Sequence, residues 1–153
     1  LEMLRAVQIR DPERVFDAYP HEVSGGMGQR IMIAMMLAPD PEILIADEPT
    51  SALDVSVRNE VLRILDRLVG ARGMGLIFIS HDLNLVAQFC DRVLIMYAGR
   101  VVEELPARDL HAARHPYTQG LLNSLPRLDR PVERLAVLRR QQGWRDAPPE
   151  GAA

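Results

Sequence analysis

The chain has 153 residues, 48% of them apolar and 25% charged, values that suit one soluble globular domain. A formal net charge of −3 argues against an electrostatic nucleic-acid binder, and a single cysteine excludes an internal disulfide framework and a cysteine-based zinc site. The longest apolar run, "IMIAMMLA", is far shorter than the roughly 20 residues that span a bilayer. We therefore expect a cytosolic protein or one peripheral to a membrane.

The first 40 residues predict three helices. "LEMLRAVQI" has helical spacing, and in "DPERVFDA" Asp11 can cap a helix whose first residue is Pro12. "YPHE" is expected to be a loop. From Ser24 the sequence "SGGMGQRIMIAMMLA" predicts a helix that "PDP" ends. Its second half is apolar almost all round, so we expect it to be buried, with its methionines as core filler: Met32, Met35 and Met36.

The next stretch predicts strand, helix and strand. The apolar run that begins at Ile43 and the later "LIFIS" both suit buried parallel strands. Asp54 can cap the helix between them, which has Val57, Val61, Leu65 and Leu68 on one face. "HDLNLVAQFC" then predicts a further helix. This order indicates a right-handed parallel crossover.

A β-hairpin is predicted next, by "RVLIMYAGRVVEEL" with its turn at Ala98 and Gly99. Short helices follow in "PARDLHAA" and "PYTQGLLNSL". His111 and His115 could pair on a metal, but surface histidines are the favoured interpretation. After Pro126 the chain is rich in Arg, Pro and Ala. We therefore assign residues 1–125 to one domain and 126–153 to an extension whose last dozen residues are disordered.

Polar side chains follow both predicted strands. Asp47 and Glu48 end the first strand, and His81 ends the second. In open parallel sheets, ligands bind at the carboxyl ends of strands. An aspartate here can orient Mg²⁺, and a neighbouring glutamate can polarise a water molecule. Taken alone, the acidic pair fits a solvated strand end equally well, and a histidine before "DLN" more often simply starts a helix.

The turn Ser24-Gly25-Gly26 could bind an anion. A helix N-terminus offers unpaired N–H groups and a positive dipole end, and glycines let the backbone approach a ligand closely. The alternative is that Ser24 is a plain N-cap followed by two loop glycines. Taken alone, the plain cap is favoured.

The motifs together resemble the nucleotide-binding subunit of an ATP-binding cassette (ABC) transporter over about residues 15–125. "VSGGMGQR" corresponds to the signature motif, "ILIADEPT" to the Walker B strand, "SALD" to the D-loop and the His81 region to the switch loop. The resemblance implies an α/β fold: a partial P-loop NTPase domain with parallel strands flanked by helices and a terminal β-hairpin. The resemblance also implies a role for each motif residue. The signature turn would contact ATP through Ser24, Gly25, Gly26 and Gln29. Asp47 would bind Mg²⁺, Glu48 would act on the hydrolytic water, Asp54 would lie at the dimer contact and His81 would contact the γ-phosphate.

A finer resemblance is to the ATPase subunits of oligopeptide, dipeptide and nickel importers. It rests on "YPHEVSGGMGQR", "LIADEPTSALDVSV" and "HPYTQGLLNSLP". Gly28 departs from that group, which usually has arginine there. The resemblance implies a second ATPase subunit, transmembrane permease subunits and, indirectly, a solute-binding protein as partners, at the cytoplasmic face of the cell membrane, with no nucleic acid.

The phosphate cradle of this family, G-x-x-x-x-G-K-[ST], requires a lysine, and all 18 basic residues of this chain are arginines. We therefore expect the chain, which begins with Leu1, to be the C-terminal part of a longer ATPase that drives peptide-type uptake. By itself it should be inactive, and its sheet should have an uncovered edge and an exposed apolar face. The alternatives are a non-transport ABC ATPase in DNA repair or on ribosomes, and a truncated non-catalytic chain.

Overall fold

The computed structural model describes residues 1–51, 53–125 and 142–145. The chain divides into two compact units, Leu1–His81 and Asp82–Ala153, and each is described by itself. Within the described ranges, no helix is both long and apolar enough to cross a membrane.

Local side-chain contacts set two of the first helical elements of the first unit. Asp11 accepts a hydrogen bond from the backbone N–H of Arg14, and Pro12 is the first residue of its helix, so this prediction is confirmed. The prediction of a loop at "YPHE" is wrong in detail. The Glu22 carboxylate accepts a hydrogen bond from the N–H of Tyr19 (2.7 Å), which closes a 3₁₀ turn. The helices are α1 (Glu2–Ala6), α2 (Pro12–Phe16), the 3₁₀ turn Pro20–Glu22 and α3 (Gly25–Leu37).

The predicted strand, helix and strand are present as β1 (Ile43–Asp47), α4 (Val55–Arg72) and β2 (Gly75–Ile79). The two strands pair in parallel with Ile45 opposite Ile77. Helix α4 ends where Gly73 adopts a left-handed conformation, with φ of 62°. Its inner face is the predicted one, with Val61 and Leu65 fully buried.

The extent of burial differs from the prediction for both strands and for α3. Strand β1 alternates between exposed and buried residues, because only one of its faces is covered. The uncovered face presents isoleucines that are 46% to 60% exposed: Ile43, Ile45, Ile77 and Ile79. On α3 only one stripe is buried, so Met32 and Met35, which are 42% and 70% exposed, are not core filler. The exposed apolar face agrees with the expectation of an incompletely covered sheet.

The second unit contains the predicted hairpin. Its two antiparallel strands are joined by Ala98 and Gly99, whose φ angles of 47° and 79° fit the two-residue turns that match strand twist. The helices predicted in "HDLNLVAQFC" and "PYTQGLLNSL" are confirmed as α-helices, and the helix predicted in "PARDLHAA" is present as a 3₁₀ helix. The elements are α5 (Leu83–Phe89), β3 (Arg92–Tyr97), β4 (Arg100–Pro106), the 3₁₀ helix Ala107–Ala112, α6 (Pro116–Asn123) and the 3₁₀ helix Gln142–Arg145.

The two histidines of this unit differ in environment. His111 is exposed, as predicted, but His115 is 1% exposed, so its assignment to the surface is wrong. Its Nδ1 accepts a hydrogen bond from the N–H of Tyr117 and thereby caps α6. The predicted disorder of the last dozen residues is not seen at Gln142–Arg145, where Trp144 is buried; the residues after Arg145 lie outside the described part.

Candidate functional site

Glu48 leaves strand β1 in an unusual backbone conformation. Its φ is 46°, in the left-handed region that costs a non-glycine residue about 1–3 kcal/mol. Its N–H donates to the carbonyl oxygen of Ile79 at the end of β2 (2.9 Å). Asp47, which is exposed, lies opposite Ile79 in the strand register. The chain therefore turns sharply at Glu48 while it remains bonded to the neighbouring strand.

The turn brings Glu48 to His81. One carboxylate oxygen of Glu48, Oε1, accepts a hydrogen bond from the backbone N–H of His81 (3.0 Å) and lies 2.6 Å from its ring Nδ1. The His81 side chain is 80% exposed, whereas that of Glu48 is 35% exposed. Two residues that follow different strands thus meet at the carboxyl edge of the sheet.

The protonation of His81 decides what its ring can bind. With Nδ1–H donating to Glu48, a neutral imidazole has only a lone pair at Nε2. A phosphate oxygen requires a donor, so the ring can contact one through Nε2 only as an imidazolium while it keeps its bond to Glu48. A contact with phosphate through Nε2 therefore needs a hydrogen on that nitrogen.

Ser24 and the glycines after it begin α3. The Ser24 hydroxyl accepts a hydrogen bond from the N–H of Met27 (3.3 Å), so the plain capping function is present. Gly25 is exposed, and a Cβ placed on it would meet nothing within 4 Å. Since the first amides of a helix have no partner within the helix, an anion can approach this turn at Gly25. Gln29 lies further along α3 and is half-buried.

Gly26 fits closely against helix α4. A Cβ on Gly26 would lie 2.6 Å from Cγ1 of Val57, in the first turn of α4. Asp54 caps the same turn, because its Oδ1 accepts a hydrogen bond from the N–H of Val57 (3.0 Å). The N-termini of α3 and α4 therefore adjoin. The sequence predicted Val57 only as part of the apolar face of its helix. Its contact with Gly26 joins two helices that are distant in sequence, so no local pattern indicates it.

The donor set near Asp47 suits magnesium only if other ligands are supplied. Among the described residues, no group of three or more His, Cys, Asp or Glu side chains is arranged to hold a metal ion. Mg²⁺ is usually held by one or two carboxylates together with phosphate oxygens and water, so a single aspartate fits that chemistry. These 153 residues contain no lysine to reach the phosphates.

Two family models match the chain. The one described as ABC transporter matches residues 1–51, and the one described as oligopeptide/dipeptide transporter, C-terminal region, matches residues 102–152. A probable peptide ABC transporter ATP-binding protein of Sinorhizobium fredii is 57% identical over 127 residues, which cover 82% of this chain and 38% of that protein. A dipeptide transport ATP-binding protein of Escherichia coli is 49% identical over 139 residues, covering 90% of this chain and 42% of that protein.

Solved structures that resemble this chain are also ATP-binding cassette proteins. A dimeric ATP-binding cassette in a post-hydrolysis state, bound to ADP and Pi, matches with a TM-score of 0.60 and 33% identity, over 70% of this chain and 45% of that one. A part of the cbiONQ ABC transporter complex of Clostridium perfringens matches with a TM-score of 0.64 and 31% identity, over 72% of this chain and 43% of that one. The chain spans less than half the length of the curated relatives named above.

Proposed function

The chain belongs to the ABC transporter ATP-binding family, and on that premise we propose that it is part of an ATPase subunit that energises uptake of peptides or similar small solutes. The match of residues 102–152 to the oligopeptide/dipeptide transporter region supports this substrate class. The names of the relatives, which are peptide and dipeptide transport proteins, support it further.

The single observation that carries the catalytic proposal is the contact between Glu48 and His81. In the proposed reaction Glu48 takes a proton from the attacking water, and His81 presents Nε2–H to the γ-phosphate. Asp47 holds Mg²⁺ or its water ligands, and the metal, when bound, neutralises charge on the phosphates. General-base assistance of this kind is worth roughly 10²- to 10⁴-fold in rate.

The signature turn serves a different nucleotide in this proposal. The turn Ser24-Gly25-Gly26, with Gln29, binds the γ-phosphate of an ATP that a second ATPase subunit holds in its cradle. Asp54 lies at the contact between the two subunits. The adjoining N-termini of α3 and α4 support this, because Gly26 approaches Val57 and Asp54 caps the turn that contains Val57. Solved cassettes that match the chain form dimers.

The proposed partners follow from the transporter function. They are a second ATPase subunit and transmembrane permease subunits, with a solute-binding protein acting indirectly. The proposed location is therefore the cytoplasmic face of the cell membrane, at the periphery.

A chimera tests the proposal. This chain replaces the 139 matching residues of the E. coli dipeptide transport ATP-binding protein, whose remaining residues stay in place. The chimera should restore dipeptide uptake to cells that lack that protein. The matched control is the same chimera with Glu48→Gln, which should be made in equal amount but fail to hydrolyse ATP or to support uptake. Uptake supported equally by both chimeras would contradict the role of Glu48, and uptake by neither would contradict the transport function.

A further inference from the structure

The segment His115–Thr118, here called the HPYT segment, has no part in the proposed ATPase reaction. It lies in the second unit, beside a buried carboxylate. Glu103 of β4 is 3% exposed, and its Oε1 accepts hydrogen bonds from the backbone N–H groups of Arg114 (2.6 Å) and His115 (3.2 Å). The two amides that begin the segment thus share one carboxylate oxygen of β4, which holds the start of the segment against that strand.

His115 and Thr118 fix the rest of the segment. His115 Nδ1 accepts a hydrogen bond from the N–H of Tyr117 (3.2 Å), so the hydrogen of the neutral ring is on Nε2. In this form neither ring nitrogen has a free lone pair, because Nδ1 accepts from Tyr117 and Nε2 carries the hydrogen. Thr118 is completely buried. These contacts leave Tyr117 as the half-buried side chain that the segment presents to other elements.

Tyr117 forms an aromatic site with Tyr97, the last residue of β3. Their ring centroids are 4.7 Å apart. Trp144 lies against both rings, with its centroid 5.6 Å from that of Tyr97, edge-on, and 5.4 Å from that of Tyr117. Trp144 is 5% exposed although it lies far along the chain from both tyrosines. Aromatic pairs at these separations attract one another beyond the effect of area burial alone.

We propose that the HPYT segment is an intramolecular docking site whose ligand is the indole of Trp144. Glu103 and His115 hold the segment in shape, and Tyr97 with Tyr117 bind the indole. The function of the site is to attach the 3₁₀ helix Gln142–Arg145 to the hairpin. The burial of Trp144 and its contacts with both tyrosine rings support this. The proposal is independent of ATP hydrolysis.

Trp144 is the single tryptophan of the chain, so its fluorescence reports on docking directly. The full chain is measured with acrylamide as the quencher and N-acetyltryptophanamide as the free reference. Docked Trp144 should emit at shorter wavelength than the reference and be quenched several-fold less. If Trp144 in the unaltered chain were quenched like the reference, the proposal would be overturned without any variant.

Variants then assign the binding site. Tyr117→Ala should shift the docking equilibrium by roughly 2- to 10-fold towards the free state and raise quenching accordingly. Tyr117→Phe keeps the ring and should leave the signal unchanged. Tyr19→Ala is the matched control, since Tyr19 is an exposed tyrosine of the other unit. Unchanged quenching in Tyr117→Ala, with native circular dichroism, would overturn the proposal; if that variant lost its fold, Tyr97→Ala would decide in the same way.

Discussion

Gly26 permits a sharp test of the contact between the signature turn and helix α4. The substitution Gly26→Ala adds one methyl group at a point 2.6 Å from Cγ1 of Val57. Carbon atoms pack best at about 3.5–4.0 Å, so the two groups must separate by about 1 Å. Val57 is β-branched and lies in a helix, where one rotamer dominates, so rotation of its side chain gives little relief.

The expected cost follows from two opposing terms. Overpacking of this kind destabilises by about 1–3 kcal/mol, whereas alanine is favoured over glycine in a helix by about 0.5–1 kcal/mol. Gly28→Ala is the matched control, because the same helix gains a Cβ there with nothing within 4 Å. The control should therefore gain stability. The difference between the two variants should be the overpacking term alone, about 1–3 kcal/mol.

Urea denaturation measures this difference, as a change in midpoint at constant slope. The double variant Gly26→Ala with Val57→Ala completes the test, since removal of Cγ1 should make Gly26→Ala as favourable as Gly28→Ala. The coupling energy between Gly26 and Val57 should then be about 1–3 kcal/mol. The packing argument is refuted if Gly26→Ala matches Gly28→Ala, or if Val57→Ala does not rescue it.

Four further outcomes are expected. The chain alone, which has no lysine for the phosphates, should release phosphate from MgATP no faster than its Glu48→Gln variant. Gly28→Arg should raise the free energy of unfolding by about 0.5–1 kcal/mol in urea denaturation, because the position is open and arginine favours helix. Threonine in place of Ile45 and Ile77, which pair on the exposed sheet face, should raise the solubility measured after centrifugation. Burial, and to a lesser extent Asp91, raises the pKa of the Cys90 thiol, so at pH 8 iodoacetamide should alkylate it more slowly than it alkylates glutathione.

Local chemistry made the helix starts predictable. Asp11, Ser24 and Asp54 each cap the helix that the sequence assigned to them, because an N-cap requires only a side-chain oxygen and an amide three residues later. The hairpin turn at Ala98 and Gly99 was predictable because its conformation depends only on the two residues of the turn and the strands beside it. In each case the deciding interaction lies within a few residues of chain.

Burial was less predictable, because it depends on neighbours that are distant in sequence. An unbroken apolar run suggested that β1 is covered on both faces, yet Ile43 and Ile45 are exposed. An unbroken apolar run allows either face of the strand to be buried, but it does not show whether one face or both faces are covered. His115 shows the opposite error: a polar residue was assigned to the surface because the sequence could not show that its ring accepts an amide hydrogen bond within the fold.

The catalytic proposal gains most from a detail that no sequence pattern contains. Both contacts from His81, the backbone N–H and ring Nδ1, reach the same oxygen of Glu48, Oε1. The second oxygen, Oε2, has no such contact among the described residues, and in the proposed reaction it is the atom that receives a proton from water. One carboxylate can thus use one oxygen to hold its orientation and the other as the base.

The arrangement requires the left-handed turn at Glu48, because an extended residue there would continue the strand and direct its side chain elsewhere. The strained conformation of Glu48 supports the proposed catalytic role, because such strain is concentrated at functional sites.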